Sequence, residues 1–315
     1  MPNYIETAAV IQSELDTAAT AASATGWMET NAGRVKYNGG KEIKIPKMTT
    51  DAMADYDRNN GFVEGGVTLS YETIEMTQDR GRGFTLDPMD VDESNYAAEI
   101  SAVMGEFQRD HVIPEIDAYR ISSIATDVIG AKAAGMVEYD YTPGAAGTDA
   151  LGKIKEGITA VRESGYSGHL TIQIESRMLM ELELILANRV RYVEIIKNGV
   201  TTKVPAIDEC PLIPTTSDRM VTAITTYDGT TEGQKKGGWK KAEDALSINF
   251  IIIPTTAPLA VSKLDNFRIF DPQTYQKAHA WHADYRRYHD LWVVDNKLKL
   301  IYLSIKDKEP TSSTE

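Results

Sequence analysis

The sequence holds a single cysteine, Cys210, among 315 residues. That scarcity excludes an intramolecular disulfide and any metal site built from several thiolates. Long apolar runs are missing as well. No window approaches the roughly 18 unbroken apolar residues of a membrane span, and the longest stretches, Ile248–Pro254 and Leu298–Leu303, are strand-sized. The opening residues, Met1-Pro-Asn-Tyr-Ile-Glu6, lack the basic start and apolar stretch of a signal peptide. A soluble chain made in the cytosol, with no membrane partner, is therefore expected. Positive charge is in short supply, 33 Lys and Arg against 46 Asp and Glu, for a net charge of -13. Such a balance argues against a protein whose main task is gripping nucleic-acid phosphates. Lys235-Lys236 and Lys240-Lys241, around Gly237-Gly238-Trp239, form the densest basic patch and are read as a solvated loop. Signatures of covalent catalysis are absent too: there is no Gly-x-Ser-x-Gly elbow and no glycine-rich phosphate loop.

What is present reads as an α+β protein with mostly antiparallel strands. Residues 7–25 are rich in Ala, Thr and Ser and carry too few apolar residues to anchor a helix alone. Residues 1–34 are thus an arm that packs on something else. Lys41–Pro46 and Val67–Tyr71 alternate with period two. The turn-rich stretch 51–66 between them predicts a projecting loop, and extended character resumes over Thr77–Asp87. The period then changes. Asp90 with Glu93 forms a capping box, and Ala97, Ile100, Met104, Phe107 and His111 recur at helical spacing up to Pro114. Ile116, Tyr119, Ile121, Ile124 and Val128 continue it, so 91–130 is predicted as one long, broken helix.

Downstream, Asp149–Ser164 is an amphipathic helix, His169–Ile174 a strand and Ser176–Leu186 a leucine-rich helix. Arg191–Ile196 and Val200–Val204 flank Lys197-Asn198-Gly199, a hairpin signal. Met220–Thr226, Ser247–Ile253 and Phe267–Phe270 are expected strands, and Leu291–Val294 is expected to pair with Leu298–Ser304 across Asp295-Asn296-Lys297. Lys306–Glu315 reads as a frayed tail.

Two clusters could serve a metal-dependent hydrolase, a remote alternative. Asp87, Asp90, Asp92 and Glu93 supply the oxygens that calcium or magnesium prefers, but not at EF-hand spacing. At a helix start they already cap the backbone and oppose its dipole. His279, His282 and His289 lie near Asp284 and Asp290, and His-x-x-His on a helix would place two imidazoles on one face. Among Trp281, Tyr285, Tyr288 and Trp292 they read more simply as packing residues. No cofactor is expected. Asp79-Arg80-Gly81-Arg82 could bind phosphate or pair with carboxylates of a neighbouring chain.

An ordered set of blocks resembles the major capsid proteins of tailed bacteriophages, which have the Hong Kong 97-type capsid fold. The blocks are Thr77-Gln-Asp-Arg-Gly-Arg82 with Phe84, Asp87-Pro-Met-Asp-Val-Asp-Glu93, and Val112-Ile-Pro-Glu-Ile-Asp-Ala-Tyr-Arg120. Further on come Ser217-Asp-Arg-Met220, Ile248-Asn-Phe-Ile251, Arg268-Ile-Phe-Asp-Pro272 and Tyr285-Arg-Arg-Tyr-His-Asp-Leu291. The resemblance spans about residues 35–305. It implies an N-terminal arm (1–34), an extended loop reaching over a neighbouring subunit (35–90), and a peripheral domain with its spine helix (91–140). An axial domain (141–254) and a return to the peripheral domain ending in the tail (255–315) follow. It further implies hexamers and pentamers closing into an icosahedral shell around double-stranded DNA, assembled in the host cytoplasm. A portal protein at one vertex, and decoration proteins in some members, would be its other partners. An encapsulin-type compartment shares the fold and is the nearest alternative.

Two departures sharpen these expectations. No lysine occurs between Lys47 and Lys132, so the loop lacks, beyond its base, the nucleophile of covalently cross-linked members, and a non-covalent shell is expected. The loop also begins too early for a long N-terminal scaffolding segment, so a separate scaffolding protein is expected. Charges on strands with no core of their own are the candidate inter-subunit contacts: Asp55, Asp57, Arg58, Asp79, Arg80, Arg82, Asp87, Asp90, Arg286 and Arg287.

Overall fold

A computed structural model describes residues 23–34, 36–37, 42–59, 61–86, 103–144, 149–186, 191–197 and 200–310. Its centre is a seven-stranded mixed sheet in the order β5 (Val137–Glu138), β15 (Tyr302–Ile305), β12 (Ile248–Pro254), β6 (Leu170–Glu175), β9 (Cys210–Thr215), β8 (Val200–Ile207), β7 (Arg191–Lys197). The pairs β15–β5 and β6–β9 are parallel and the rest antiparallel. Strand β12 is buried along its whole length and reads as an unbroken apolar run because both its faces are covered. Phe250 and Ile252 face one core, while Ile251 and Ile253 face the other.

The second of these cores lies under helix α1 (Ile113–Ala131), whose Ile121, Ile124, Ala125 and Val128 are fully buried at the predicted helical spacing. Each of the Ile and Val side chains contributes about 1.5–3 kcal/mol on burial. Among the described residues this helical run begins at 103 and widens into a π-helical turn at Gln108–Val112. There the Ile113 N–H donates to the carbonyl of Gln108, five residues back. The next residue, Pro114, has no N–H to close the regular bond, so the predicted break is a widened turn rather than an interruption. The opposite core lies under α2 (Ala150–Glu163) and α3 (Ser176–Leu186). Asp149 caps α2 by accepting from Leu151 N at 3.0 Å. Gly157 lets α2 approach the sheet, since a Cβ there would come within 2.7 Å of Ile252 Cδ1.

A second layer is a long antiparallel hairpin, β13 (Pro258–Phe270) and β14 (Trp281–Val293), with β4 (Gln78–Leu86) on the free edge of β14. Two strand expectations need correction here. Leu291–Val293 pairs with Pro258–Ala260 rather than with Leu298–Ser304, and Asp295–Leu298 is a short helix, α4. Tyr302–Ile305 instead enters the main sheet beside β12, where all four of its side chains are buried between the two cores. A two-stranded hairpin would have covered only one face. Met220–Thr226 is strand only at Ile224–Thr226 (β10), which pairs with Trp239–Lys241 (β11) and leaves the Gly-rich stretch as their connection.

Candidate functional site: the projecting hairpin and its anchorage

The predicted loop is a long antiparallel hairpin of β2 (Glu42–Thr50) and β3 (Val67–Glu75), with β1 (Lys36–Tyr37) on the edge of β2. Its register runs from Glu42 opposite Glu75 to Thr50 opposite Val67. Beyond that, Asp51 N donates to Gly66 O, and Gly66 N donates back to Asp51 Oδ2 at 2.7 Å. At the far end Asp57 and Gly61 exchange backbone hydrogen bonds and Tyr56 meets Phe62 at 4.9 Å between ring centroids. The tip is a shaped turn. Most of the exposed large apolar side chains among the described residues sit here, including Met48, Met53, Tyr56, Phe62, Val67 and Leu69. Met53 is 101% exposed and Phe62 86%. An isolated two-stranded ribbon is marginal in water, and this many exposed large apolar side chains on one ribbon make it a candidate interaction site.

The root is held quite differently. Ile45 and Met76 are buried against Leu259 and Val261 of β13. Asp290 of β14, 2% exposed, accepts from Thr77 N at 2.7 Å, Thr77 Oγ1 at 3.0 Å and Tyr119 Oη at 2.6 Å. Burial and that hydrogen bond to Asp290 push the Tyr119 phenol up to about 12, so it stays a donor. One carboxylate thus ties the β3–β4 junction to both the long hairpin and α1.

A second polar node holds residues 23–29. Asp117 of α1, fully buried, accepts from Ser23 Oγ (2.8 Å), Ala24 N (3.0 Å), Thr25 N (3.0 Å), Thr25 Oγ1 (2.6 Å) and Arg219 Nη1 (3.2 Å). One turn on, Arg120, also buried, pairs with Glu29, which is shared with Arg287 at 2.7 Å. His289 beside them is held neutral, because burial and then the charges of Arg120, Arg287 and Arg80 push its pKa well below the ordinary range. Sequence reading missed this node. The signal available was that Asp117 and Arg120 fall within the apolar stripe of the helix, where a charge must be paired.

The candidate inter-subunit residues divide into groups. Asp55, Asp57 and Arg58 lie exposed at the tip. Arg80 is turned inward: its guanidinium bonds Glu115 (2.6 Å), Tyr227 O (2.7 Å) and Gly238 O (3.2 Å) of its own chain. Arg287 pairs with Glu29 and, at 3.0 Å, with Asp265. Asp79 and Arg286 face each other across β4 and β14 as an exposed bidentate pair at 2.6 and 2.8 Å. Among the described residues Arg82 makes one long hydrogen bond, to Lys235 O at 3.5 Å. Asp87 and Asp90, with the rest of the acidic cluster, lie outside the described residues.

The histidine reading is corrected. His282 and His289 lie on strand β14, seven residues apart and therefore on opposite faces, and His279 precedes that strand, so no helical face joins them. His282 instead stacks on Tyr275 at 4.4 Å. No cluster of metal-ligating side chains occurs among the described residues.

No family model and no curated protein matches the chain. Solved structures do. The capsid structure of the cyanophage P-SCSP1u aligns over 87% of this chain and 86% of its own, at 10% identity and a TM-score of 0.55. The mature capsid of bacteriophage PhiM1 aligns over 85% and 82%, at 11% identity and a TM-score of 0.54. An encapsulin complex from Synechococcus elongatus aligns over 88% and 85%, at 8% identity and a TM-score of 0.49. The chain has the Hong Kong 97-type capsid fold, as the sequence resemblance implied.

Proposed function

We propose that this chain is a structural shell protein, the major capsid protein of a tailed phage. It assembles with copies of itself as hexamers and pentamers into an icosahedral shell around double-stranded DNA. The observation that carries this reading is the β2–β3 hairpin, which projects apolar side chains such as Met53 and Phe62 away from its own core on a capsid-type fold. A side chain left in solvent this way gains its burial only against another molecule, and many such contacts around a closed shell add up by multivalency. In this reading, residues 91–140 and 255–315 form the peripheral domain and 141–254 the axial domain. A separate scaffolding protein guides assembly, and a portal occupies one vertex. The acidic balance of -13 suits a wall that encloses DNA without gripping it.

The test is electron microscopy and nuclease digestion of the particles that contain this chain, purified from the cells in which it is naturally made. Uniform shells protecting double-stranded DNA are expected from phage-infected cells. Shells carrying a co-purifying enzyme and no DNA would establish the encapsulin-type alternative, and absence of particles would refute both. Boiling in denaturant should yield only single chains, because Lys44 and Lys47 lie on β2, short of the tip, and the tip 51–66 has no lysine. A surviving subunit ladder would refute the non-covalent shell.

A further inference from the structure

His289 of β14 is 3% exposed, and its Nδ1 is buried without a hydrogen-bond partner. Its ring meets that of Tyr119 on α1 edge-to-face, with centroids 5.8 Å apart. A buried imidazole nitrogen with nothing to bond is destabilising, and such groups are rare in folded proteins. The charges that act on this ring are positive: Arg120 of α1, Arg287 two residues back on β14, and Arg80, which lies opposite Arg287 on β4. The carboxylates of the same elements are already engaged. Glu115 of α1 holds Arg80 through both oxygens, at 2.6 and 3.2 Å. Glu29 is shared by Arg120 and Arg287, and Asp265 of β13 takes Arg287 at 3.0 Å. Asp290, next along the strand, accepts from Thr77, Tyr119 and the Leu291 N–H.

A cleft of about 400 Å³ reaches the ring between β4, the π-helical turn ahead of α1, and the connection from β10 to β11. It brings in the remaining charges, Asp79, Arg82, His111, Asp228 and Lys236. Asp79 holds Arg286 through both oxygens. Asp228 has no cation partner among the described residues, but its oxygens accept from Thr230 N, Thr231 N and Thr231 Oγ1 of its own loop. None of these groups forms an ion pair with His289. A proton added to the imidazole would thus place a fourth positive charge beside three guanidiniums, with no anion to receive it. Water is the remaining source of stabilisation, and the cleft is its route. One wall of that cleft is the turn Gln108–Val112, where the helix is already widened. Tyr119, against the ring, also donates to Asp290, which holds the hairpin root through Thr77.

We propose that His289 is a proton-operated latch at this joint. Neutral, it lets the start of α1 close on β4 and β14; protonated, it parts them, admits water and loosens the hairpin root anchored beside it. The device belongs to the subunit and does not depend on the shell reading. In the closed joint, burial and the three arginines hold the imidazole well below the ordinary value of 6.5, which it regains once the joint opens. Opening therefore takes up a proton. Its equilibrium constant should be level above about pH 7 and rise by up to about tenfold for each pH unit below about 6.5.

Amide hydrogen exchange of the full-length, unassembled subunit measures this opening, read from about pH 7 to about pH 4.5 and corrected for the intrinsic pH dependence of exchange. Amides of residues 108–120 and 76–80 should lose protection by up to about tenfold per pH unit, while those of β12, buried along its whole length, keep theirs. His289→Gln cannot take up the proton, so residues 108–120 should hold their neutral-pH protection in that variant. Other titrating groups are common to both proteins and cancel in the comparison. If the variant does not fold, the imidazole resonance of His289 in the unmodified chain decides instead. It should stay that of a neutral ring until the pH at which exchange of residues 108–120 accelerates. Equal loss of protection in the two proteins overturns the latch. So does an imidazole that titrates near about pH 6.5 while protection of those residues is unchanged.

Discussion

At its root the β2–β3 hairpin is held by buried Ile45 and Met76 and by Asp290, while at its tip Met53 and Phe62 stand in solvent. The two ends belong to one continuous ribbon with the same period-two pattern, yet only one end is stabilised by its own chain. The root is part of the fold, and the tip is left to whatever partner the proposed assembly supplies. Arginines on neighbouring strands repeat the contrast. Arg80 is half-buried and bonded within the subunit, whereas the Asp79–Arg286 pair is exposed at the surface. Sign and spacing of charge do not separate an arginine held in the interior of the subunit from one left at its surface. Burial does.

If that division is right, substitutions should sort by region when read on the unassembled subunit. The largest loss is expected at Asp117, where Asp117→Ala leaves two backbone N–H groups, two hydroxyls and Arg219 without their acceptor. A loss of about 3–5 kcal/mol is expected for breaking such a buried pair, read as a shift of the urea midpoint. A loss under about 1 kcal/mol would show that residues 23–29 are not integral to the core. Next comes Arg80→Ala. The sequence suggested that Arg80 acts in assembly more than in folding, but its three acceptors are intramolecular. Subunit stability should therefore fall by about 1–2 kcal/mol, whereas Arg286→Ala should leave the melting curve unchanged. Equal effects of the two would break the distinction.

Local periodicity is enough to read several of the main elements. Ile121, Ile124 and Val128 announced the buried stripe of α1, and alternation over Val67–Tyr71 announced a strand beside a projecting loop. Pairing was less accessible, because it depends on contacts far apart in sequence. Tyr302–Ile305 looked like the return strand of a tight hairpin, but two-faced burial beside β12 outweighs the nearer partner. The node of Glu29, Asp117, Arg120 and Arg287 was illegible for the same reason, with its members up to 258 residues apart. Exposure of the tip could be suspected from its turns, but not the fact that Met53 stands clear of its own body. The cleft at Arg82 joins three segments that no spacing rule connects.

A smaller effect, and one that sharpens the account of the root, should come from Asp127 on α1. It lines the same hollow as Thr77 and Asp290, and burial, then the charges of Asp290 and Asp295, raise its pKa from 3.8 to about 6. The raised value means that the folded subunit holds a proton between about pH 4 and 6 that the unfolded chain has released. The contribution of Asp127 to stability should therefore fall as pH rises through that window, against the opposite contribution of His289, whose lowered pKa makes stability rise with pH. Asp127→Asn should remove the first of these contributions and gain about 1 kcal/mol at about pH 7, the full shift being discounted for the side chain's partial exposure. Urea midpoints at about pH 4.5 and about pH 7 for both proteins would measure it. Equal slopes for the two proteins would show that Asp127 is ionised in the folded root throughout.

The smallest effect on the subunit is expected where the sequence is most apolar for its position. Met53→Ser with Phe62→Ser removes two large side chains, and elsewhere in the chain a buried pair of that size would cost several kcal/mol, on the order of 5 or more. At 101% and 86% exposure there is no transfer free energy to lose and no cavity to leave. The unfolding free energy read from urea midpoints should stay within about 1 kcal/mol of the unmodified chain. Loss of the Tyr56–Phe62 ring contact is the one local term, and an exposed pair of this kind contributes about 0.5–1 kcal/mol at most. The same double substitution should abolish or sharply reduce particle formation, since it deletes the apolar part of the surface the tip offers to a neighbour. A stability loss comparable to that of Asp117→Ala would mean that the tip folds against its own body, and the contrast between root and tip would fail.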